Sequence, residues 1–137
     1  KNYFKRAFRE LVRLESLDLT IEGIDMLDVL PLIIHLNSLK ELTLKWNKPL
    51  EITLEEIDAF KRTIKELKKL FFLSLGTFSD KNIRDSPAYD AFVDFINYMK
   101  VLHYRSLKLQ FQLETALGYR MNYDLNIDGK NVLISMF

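Results

Sequence analysis

The 137-residue chain has no cysteine. That removes disulfides, thiolate metal sites and thiol nucleophiles together, though it leaves the redox compartment open. Histidine occurs only as His35 and His103. No carboxylate is spaced with either to make a recognisable metal site, and each reads as a structural or partly exposed histidine. The four glycines, at 23, 76, 118 and 129, are too scattered for a phosphate-cradling loop. Asp124 and Asp128 flank a turn region without the ligand count of a calcium loop. The longest largely apolar stretch, Val29 to Leu36, contains Pro31 and His35 and is far too short to cross a bilayer. Glycosylation signals of the Asn-x-Ser/Thr form are lacking. A formal charge of +1 supplies no global field toward nucleic acid or membrane. No nucleophile sits in a motif, and the carboxylate pair Glu55-Glu56 is explained by a helix start. The expectation is a chain that is not an enzyme and carries no cofactor or metal.

What is present is a phrase written four times. It reads Leu11-x-x-Leu14-x-x-Leu17-x-Leu19, then Leu36-x-x-Leu39-x-x-Leu42-x-Leu44, then Leu67-x-x-Leu70-x-x-Leu73-x-Leu75. The fourth, Tyr98-x-x-Val101-x-x-Tyr104-x-x-Leu107-x-Leu109, has one extra apolar step in front. Anchored at Leu17, Leu42, Leu73 and Leu107, the copies stand 25, 31 and 34 residues apart. Such recurrence signals a stacked repeat, because one unit cannot bury its apolar side alone.

Each closing Leu-x-Leu predicts a strand, near 16–20, 41–45, 72–76 and 105–110. Between strands the period changes from two to 3.6. Residues 3–13 read as an amphipathic helix through Phe4, Phe8, Leu11 and Val12. Thr53-Leu54-Glu55-Glu56 has the form of a capping box, and Ile57, Phe60, Ile64 and Leu67 continue one apolar stripe from it. Lys68 and Lys69 fall near that helix's C-terminus, where positive charge suits the dipole. Ser86-Pro87 offers a cap and a first-turn proline to a helix carrying Tyr89, Phe92, Val93, Ile96 and Met99. Ile24, Leu27 and Leu30 suggest helix in the first connection, with Pro31 expected to divide it into two short turns. Beyond residue 110 a short helix around 113–117, ended by Gly118, is expected. Then Met121, Tyr123, Leu125 and Ile127 alternate with polar residues, Asp128-Gly129 marks a tight turn, and Val132, Ile134 and Met136 alternate again: a β-hairpin with one apolar face.

Leu39-Lys40-Glu41-Leu42-Thr43-Leu44-Lys45-Trp46-Asn47 has the form L-x-x-L-x-L-x-x-N and resembles the leucine-rich repeat signature. Leu14–Glu22, Leu70–Phe78 and Tyr104–Gln112 match its apolar positions but carry Glu22, Phe78 and Gln112 in place of the asparagine. The resemblance covers roughly residues 11–112. It is similar to the longer, helix-containing class, such as ribonuclease-inhibitor-like repeats, with irregular spacing. It implies an α/β solenoid: a short curved parallel sheet, helices on the convex side, and here a terminal β-hairpin. The asparagine ladder along the turns should be incomplete. The whole reads as one domain, with an N-terminal helix or cap at 1–13, about four repeats over 14–112, and a C-terminal cap or hairpin over 113–137.

The strand period of two then selects the outward residues. If Leu42 and Leu44 point inward, Glu41, Thr43 and Lys45 point out. So do Ser16, Asp18 and Thr20, then Phe72, Ser74 and Gly76, then Ser106, Lys108 and Gln110. The candidate protein-binding residues are Glu41, Thr43, Lys45, Trp46, Phe72, Ser74, Lys108 and Gln110. Phe72 is either an anchor amid small polar residues or a ring packed on Phe71 or a loop. Trp46, at the rim, is either a contact or a plug at the edge of the core. The functional expectation, which the resemblance supplies, is a non-catalytic module that binds another protein through the concave sheet face, as part of a larger chain or complex, inside the cell in cytoplasm or nucleus. Lys61, Lys65, Lys68 and Lys69, with Arg62 near them, and Lys5, Arg9 and Arg13 make basic helical stripes. These raise the alternative of a nucleic-acid-associated subunit, against the reading as solvated helix faces; nucleic acid and membrane are not the expected partners. A third alternative is the recognition segment of a larger enzyme. Uncapped ends of the stack would favour self-association.

Overall fold

The computed structural model describes residues 13–79, 97, 106–114, 117–128 and 131–136. Within them the chain is α/β, with one six-stranded sheet and two helices. The order is β1 (Ser16–Ile21), α1 (Met26–Ile33), β2 (Glu41–Trp46), α2 (Leu54–Glu66), β3 (Phe72–Ser79), β4 (Ser106–Glu114), β5 (Arg120–Asp128) and β6 (Asn131–Met136). The strands lie side by side in sequence order. Neighbours from β1 to β4 run parallel, while β4–β5 and β5–β6 are antiparallel. All four expected repeat strands are therefore present and adjacent, and the terminal hairpin extends the same sheet. The expected helix over 3–13 (apart from Arg13), the one opened by Ser86-Pro87, and His103 lie outside the described residues.

Packing follows the leucine spacing. Leu42, Leu44, Leu73, Leu75, Leu107 and Leu109 are buried, and they share one core with Val29, Leu30 and Ile33 of α1 and Ile57, Phe60 and Ile64 of α2. Each such side chain contributes about 1.5–3 kcal/mol on leaving water. Helix α2 starts where its sequence says it should. Glu56 N–H donates to Thr53 Oγ1 at 3.2 Å and Thr53 N–H to Glu56 Oε1 at 3.0 Å, the two halves of the capping box. Both helices pack on the leucine side and against each other. Among the described residues nothing helical covers the other face of the sheet.

Four expectations need correction. Pro31 does not split the first connection: α1 runs unbroken through it, opened by Asp25, whose Oδ1 accepts Leu27 N–H at 3.0 Å. The ring sits on the exposed side of an eight-residue helix, so only the Leu27 carbonyl loses its intrahelical donor. The helix expected around 113–117 is not where Leu113 and Glu114 lie: both belong to β4 and pair with Met121 and Arg120, while residues 115 and 116 are outside the described ones. Gly118, at φ 85°, helps turn β4 into β5 instead. The fourth repeat is anchored at Leu109 rather than Leu107, since Leu73 pairs with Leu109. A two-residue slip keeps every side chain on its own face, so the apolar pattern cannot tell the registers apart. Finally, Gly76 does not point outward, for the reason given below.

Candidate functional site

The uncovered sheet face is built from residues that alternate with the core leucines. Strand pairing lines them up in rows. One row crosses Ser16, Glu41, Phe72, Lys108 and Asn126, and the next crosses Asp18, Thr43, Ser74, Gln110 and Asp124. Seven of the eight sequence-derived candidates lie on this face: Glu41, Thr43, Lys45, Phe72, Ser74, Lys108 and Gln110. Glu41, Lys45 and Lys108 are exposed, and the others are half-buried. Phe72 stands directly between Glu41 and Lys108, while its neighbour Phe71 is 47% exposed. The face is electrically balanced by cross-strand pairs. Lys45 Nζ lies 4.0 Å from Asp18 Oδ2, and Lys108 Nζ lies 4.0 Å from Asp124 Oδ2. Both cations are at least 45% exposed. Pairs of this kind are worth little, so a partner could displace either cheaply.

Trp46 differs from the other seven. By parity it follows Leu42 and Leu44 toward the core, and it closes the end of β2. Its indole N–H donates to the Thr77 carbonyl at 2.6 Å, and its ring lies 5.3 Å from that of Phe78. Leu50 N–H donates to the same Thr77 oxygen at 2.9 Å, so both lone pairs of that carbonyl are used. Trp46 thus acts as a plug at the core's edge while staying half-exposed.

A β-bulge explains how the ring fits. Ser74 pairs with Gln110, but Thr77 pairs with Gln112, so Leu75 and Gly76 together oppose Phe111. The extra residue turns Gly76 toward Trp46: a Cβ there would fall 2.7 Å from Trp46 Cε2 and 2.9 Å from Cδ2. Thr77 takes the place in the display row that the simple alternation gives to Gly76. Its hydroxyl donates to Gln112 Oε1 at 2.7 Å, and Gln112 Nε2 donates to Asn122 Oδ1 at 2.7 Å.

Where the bulge lifts β3, a cleft of about 430 Å³ opens. Its aromatic lining is Trp46, Phe111 and Tyr123, the last two stacked at 5.0 Å with planes 5° apart. Its polar lining is Ser74, Thr77, Gln110, Gln112, Asn122 and Asp124, with Lys45 at the side. Four of the eight candidates (Lys45, Trp46, Ser74 and Gln110) come together here. Glu41, Thr43, Phe72 and Lys108 remain on the open face beside it. Sequence reasoning missed Asn122 and Asp124. The signal was their polar alternation with Tyr123, but only the pairing of β5 beside β4 brings them to this face.

At the repeat's asparagine positions the structure departs from the signature. Asn47 is exposed, Phe78 is a buried ring between Trp46 and Phe111, and Gln112 joins the side-chain chain described above. Among the described residues no group of three or more His, Asp or Glu side chains could hold a metal ion, and His35 is exposed beyond the end of α1. Among them no helix is long and apolar enough to cross a membrane. No protein-family model, curated protein or solved structure matches this chain.

Proposed function

We propose that this chain is a protein-interaction module of leucine-rich-repeat type, a short solenoid arc that holds a protein partner on its outward sheet face. One observation carries the reading. Four adjacent parallel strands turn their leucines toward the helices on one side and leave two ordered polar rows, with Phe72 among them, uncovered by any described helix on the other. The backbone ladder fixes the spacing of these side chains before any partner arrives, so little ordering entropy is lost on binding. Phe72 supplies apolar contact at the centre, and Glu41, Lys45 and Lys108 supply charges whose internal pairs are weak or exposed. Catalysis has no support from the residues gathered here: the cleft holds one carboxylate, amides and hydroxyls, and no base with a nucleophile beside it. No arrangement on the outer side favours nucleic acid either, because the basic residues of α2 share that helix with Glu55, Glu56 and Glu66.

The test is affinity capture from the native source with the unaltered chain and with Phe72→Ala combined with Lys45→Glu. The reading expects a partner retained by the first and lost by the second, with the fold of both confirmed by circular dichroism. A partner that stays bound to the double variant with unaltered affinity refutes it.

A further inference from the structure

The strand ends form two rims, and each carries a feature that the outward face does not use. Strands and helices alternate through short connections. The starts of α1 and α2 therefore lie on the rim where β1 and β2 end, and the start of β3 lies on the opposite rim. Just before β3, Phe71 is 47% exposed although its backbone is held on both sides. Its N–H donates to the Lys40 carbonyl at 2.9 Å, and its own carbonyl accepts from Lys108 N–H at 2.8 Å. Lys68 and Lys69, a few residues ahead of it, are exposed. The ring is thus a fixed apolar knob with two cations near it in the chain. On the other rim a second cleft, of about 430 Å³, opens between the starts of the two helices. Its apolar lining is Leu27 and Leu54, the latter 48% exposed. Its carboxylates are Asp25, Glu55 and Glu56. Glu56 is spent on the capping box, while Asp25 and Glu55 are exposed.

The helix dipoles account for carboxylates at the helix starts and for lysines past the end of α2. They do not account for a ring left in water on one rim and a leucine-lined cleft on the other. The two surfaces match in kind: an apolar knob with cations fits an apolar cleft with anions. Within one chain they cannot meet, because a six-residue strand, about 20 Å long, separates the rims. Between copies nothing separates them, and a formal charge of +1 sets up no overall repulsion. We propose that this chain assembles head to tail. The Phe71 ring of one copy enters the cleft between Leu27 and Leu54 of a second copy, and Lys68 and Lys69 face the carboxylates of Asp25 and Glu55 there. The contact is heterologous, since knob and cleft are different surfaces, so every pair keeps one of each free and growth continues past two. It leaves the outward sheet face open and does not depend on the partner-binding reading above.

Sedimentation velocity of the whole chain tests this. In low salt, about 20 mM, the weight-average sedimentation coefficient should climb with concentration, with a dissociation constant on the order of 100 μM, as befits a small contact. In about 0.5 M salt the association should weaken by at least about fivefold, because the charges are exposed and screened. Phe71→Ser and Leu54→Ser should each weaken it by about tenfold or more. Both side chains are about half exposed, so circular dichroism should show the fold of each variant unchanged. The decisive sample is an equimolar mixture of the two variants. The Phe71→Ser chain keeps its cleft and the Leu54→Ser chain keeps its knob, so the mixture should form pairs and nothing larger. The salt comparison needs no variant, so a misfolded variant leaves it standing. A chain that stays monomeric in low salt up to about 1 mM overturns the proposal. So does assembly that is indifferent to salt or survives both substitutions. A mixture that grows past two, or one that forms no pairs while each variant folds, also overturns it. Retention or loss of a partner by Phe72→Ala with Lys45→Glu bears on the face alone, so the two readings fail separately.

Discussion

Gly76→Ala tests the bulge and the tryptophan plug together. Gly76 does not have a positive φ, so an alanine meets no backbone obstacle there. Any cost must come from the new methyl group. Its Cβ would sit 2.7 Å from Trp46 Cε2, 2.9 Å from Cδ2 and 3.2 Å from Cζ2. The indole cannot yield freely, because its N–H bond to Thr77 and its contact with Phe78 hold it from two directions. Overpacking of this kind costs about 1–3 kcal/mol. A lost indole hydrogen bond adds about 1 kcal/mol, so the sum is roughly 2–4 kcal/mol. In a chain of this size that lowers Tm on the order of 10 °C. Urea denaturation of four chains gives the decisive reading: unaltered, Gly76→Ala, Trp46→Ala and the double variant. Once Trp46 is truncated, the added methyl has room, so Gly76→Ala should cost less than about 0.5 kcal/mol in that background. An equal cost in both backgrounds would show that Trp46 does not fill the space above Gly76, and the account of the bulge would fail.

Other perturbations carry their own magnitudes. Thr53→Ala removes the cap of α2 and should cost about 1 kcal/mol by denaturation, while Thr53→Ser should cost little; an equal loss from both would speak against the capping box. Leu44→Ala, at a fully buried position, should cost about 2–5 kcal/mol, and a loss below about 1 kcal/mol would place Leu44 outside the core. Pro31→Ala should stabilise the chain by about 1–2 kcal/mol by restoring a donor to the Leu27 carbonyl, and a loss of stability would show that α1 depends on the proline. Lys40→Ala breaks a 3.3 Å pair with Glu15 whose side chains are 46% and 64% exposed, so less than about 1 kcal/mol should be lost.

The strands were readable because Leu-x-Leu commits one face of a strand to the core: the leucine pairs of β2, β3 and β4 are buried, and Leu17 and Leu19 of β1 pack partly buried against the same core. The capping box was readable for the same reason: Thr53 and Glu56 act through local geometry alone. Expectation failed where a tertiary context overrode a local signal. Gly118 looks like a helix stop, yet the pairing of Leu113 with Met121 made its surroundings a hairpin. The register of β4 was ambiguous by two residues, because parity is preserved under that shift. The bulge was invisible for a related reason. Counting by twos assigns Gly76 outward, and only the pairing with β4 shows that one residue is extra. The open face was thus legible as a set of residues, whereas the cleft, which needs the bulge and the hairpin together, was not.

The central claim is that the uncovered face, and not the helical side, meets the partner. A photo-activatable cross-linking residue placed at Thr43, in the middle of the polar rows, can be compared in the native cell with one at Lys65 on the outer side of α2. The account expects a covalent adduct with a protein from position 43 and none from position 65. An adduct formed from position 65 alone, with protein or with nucleic acid, would contradict it.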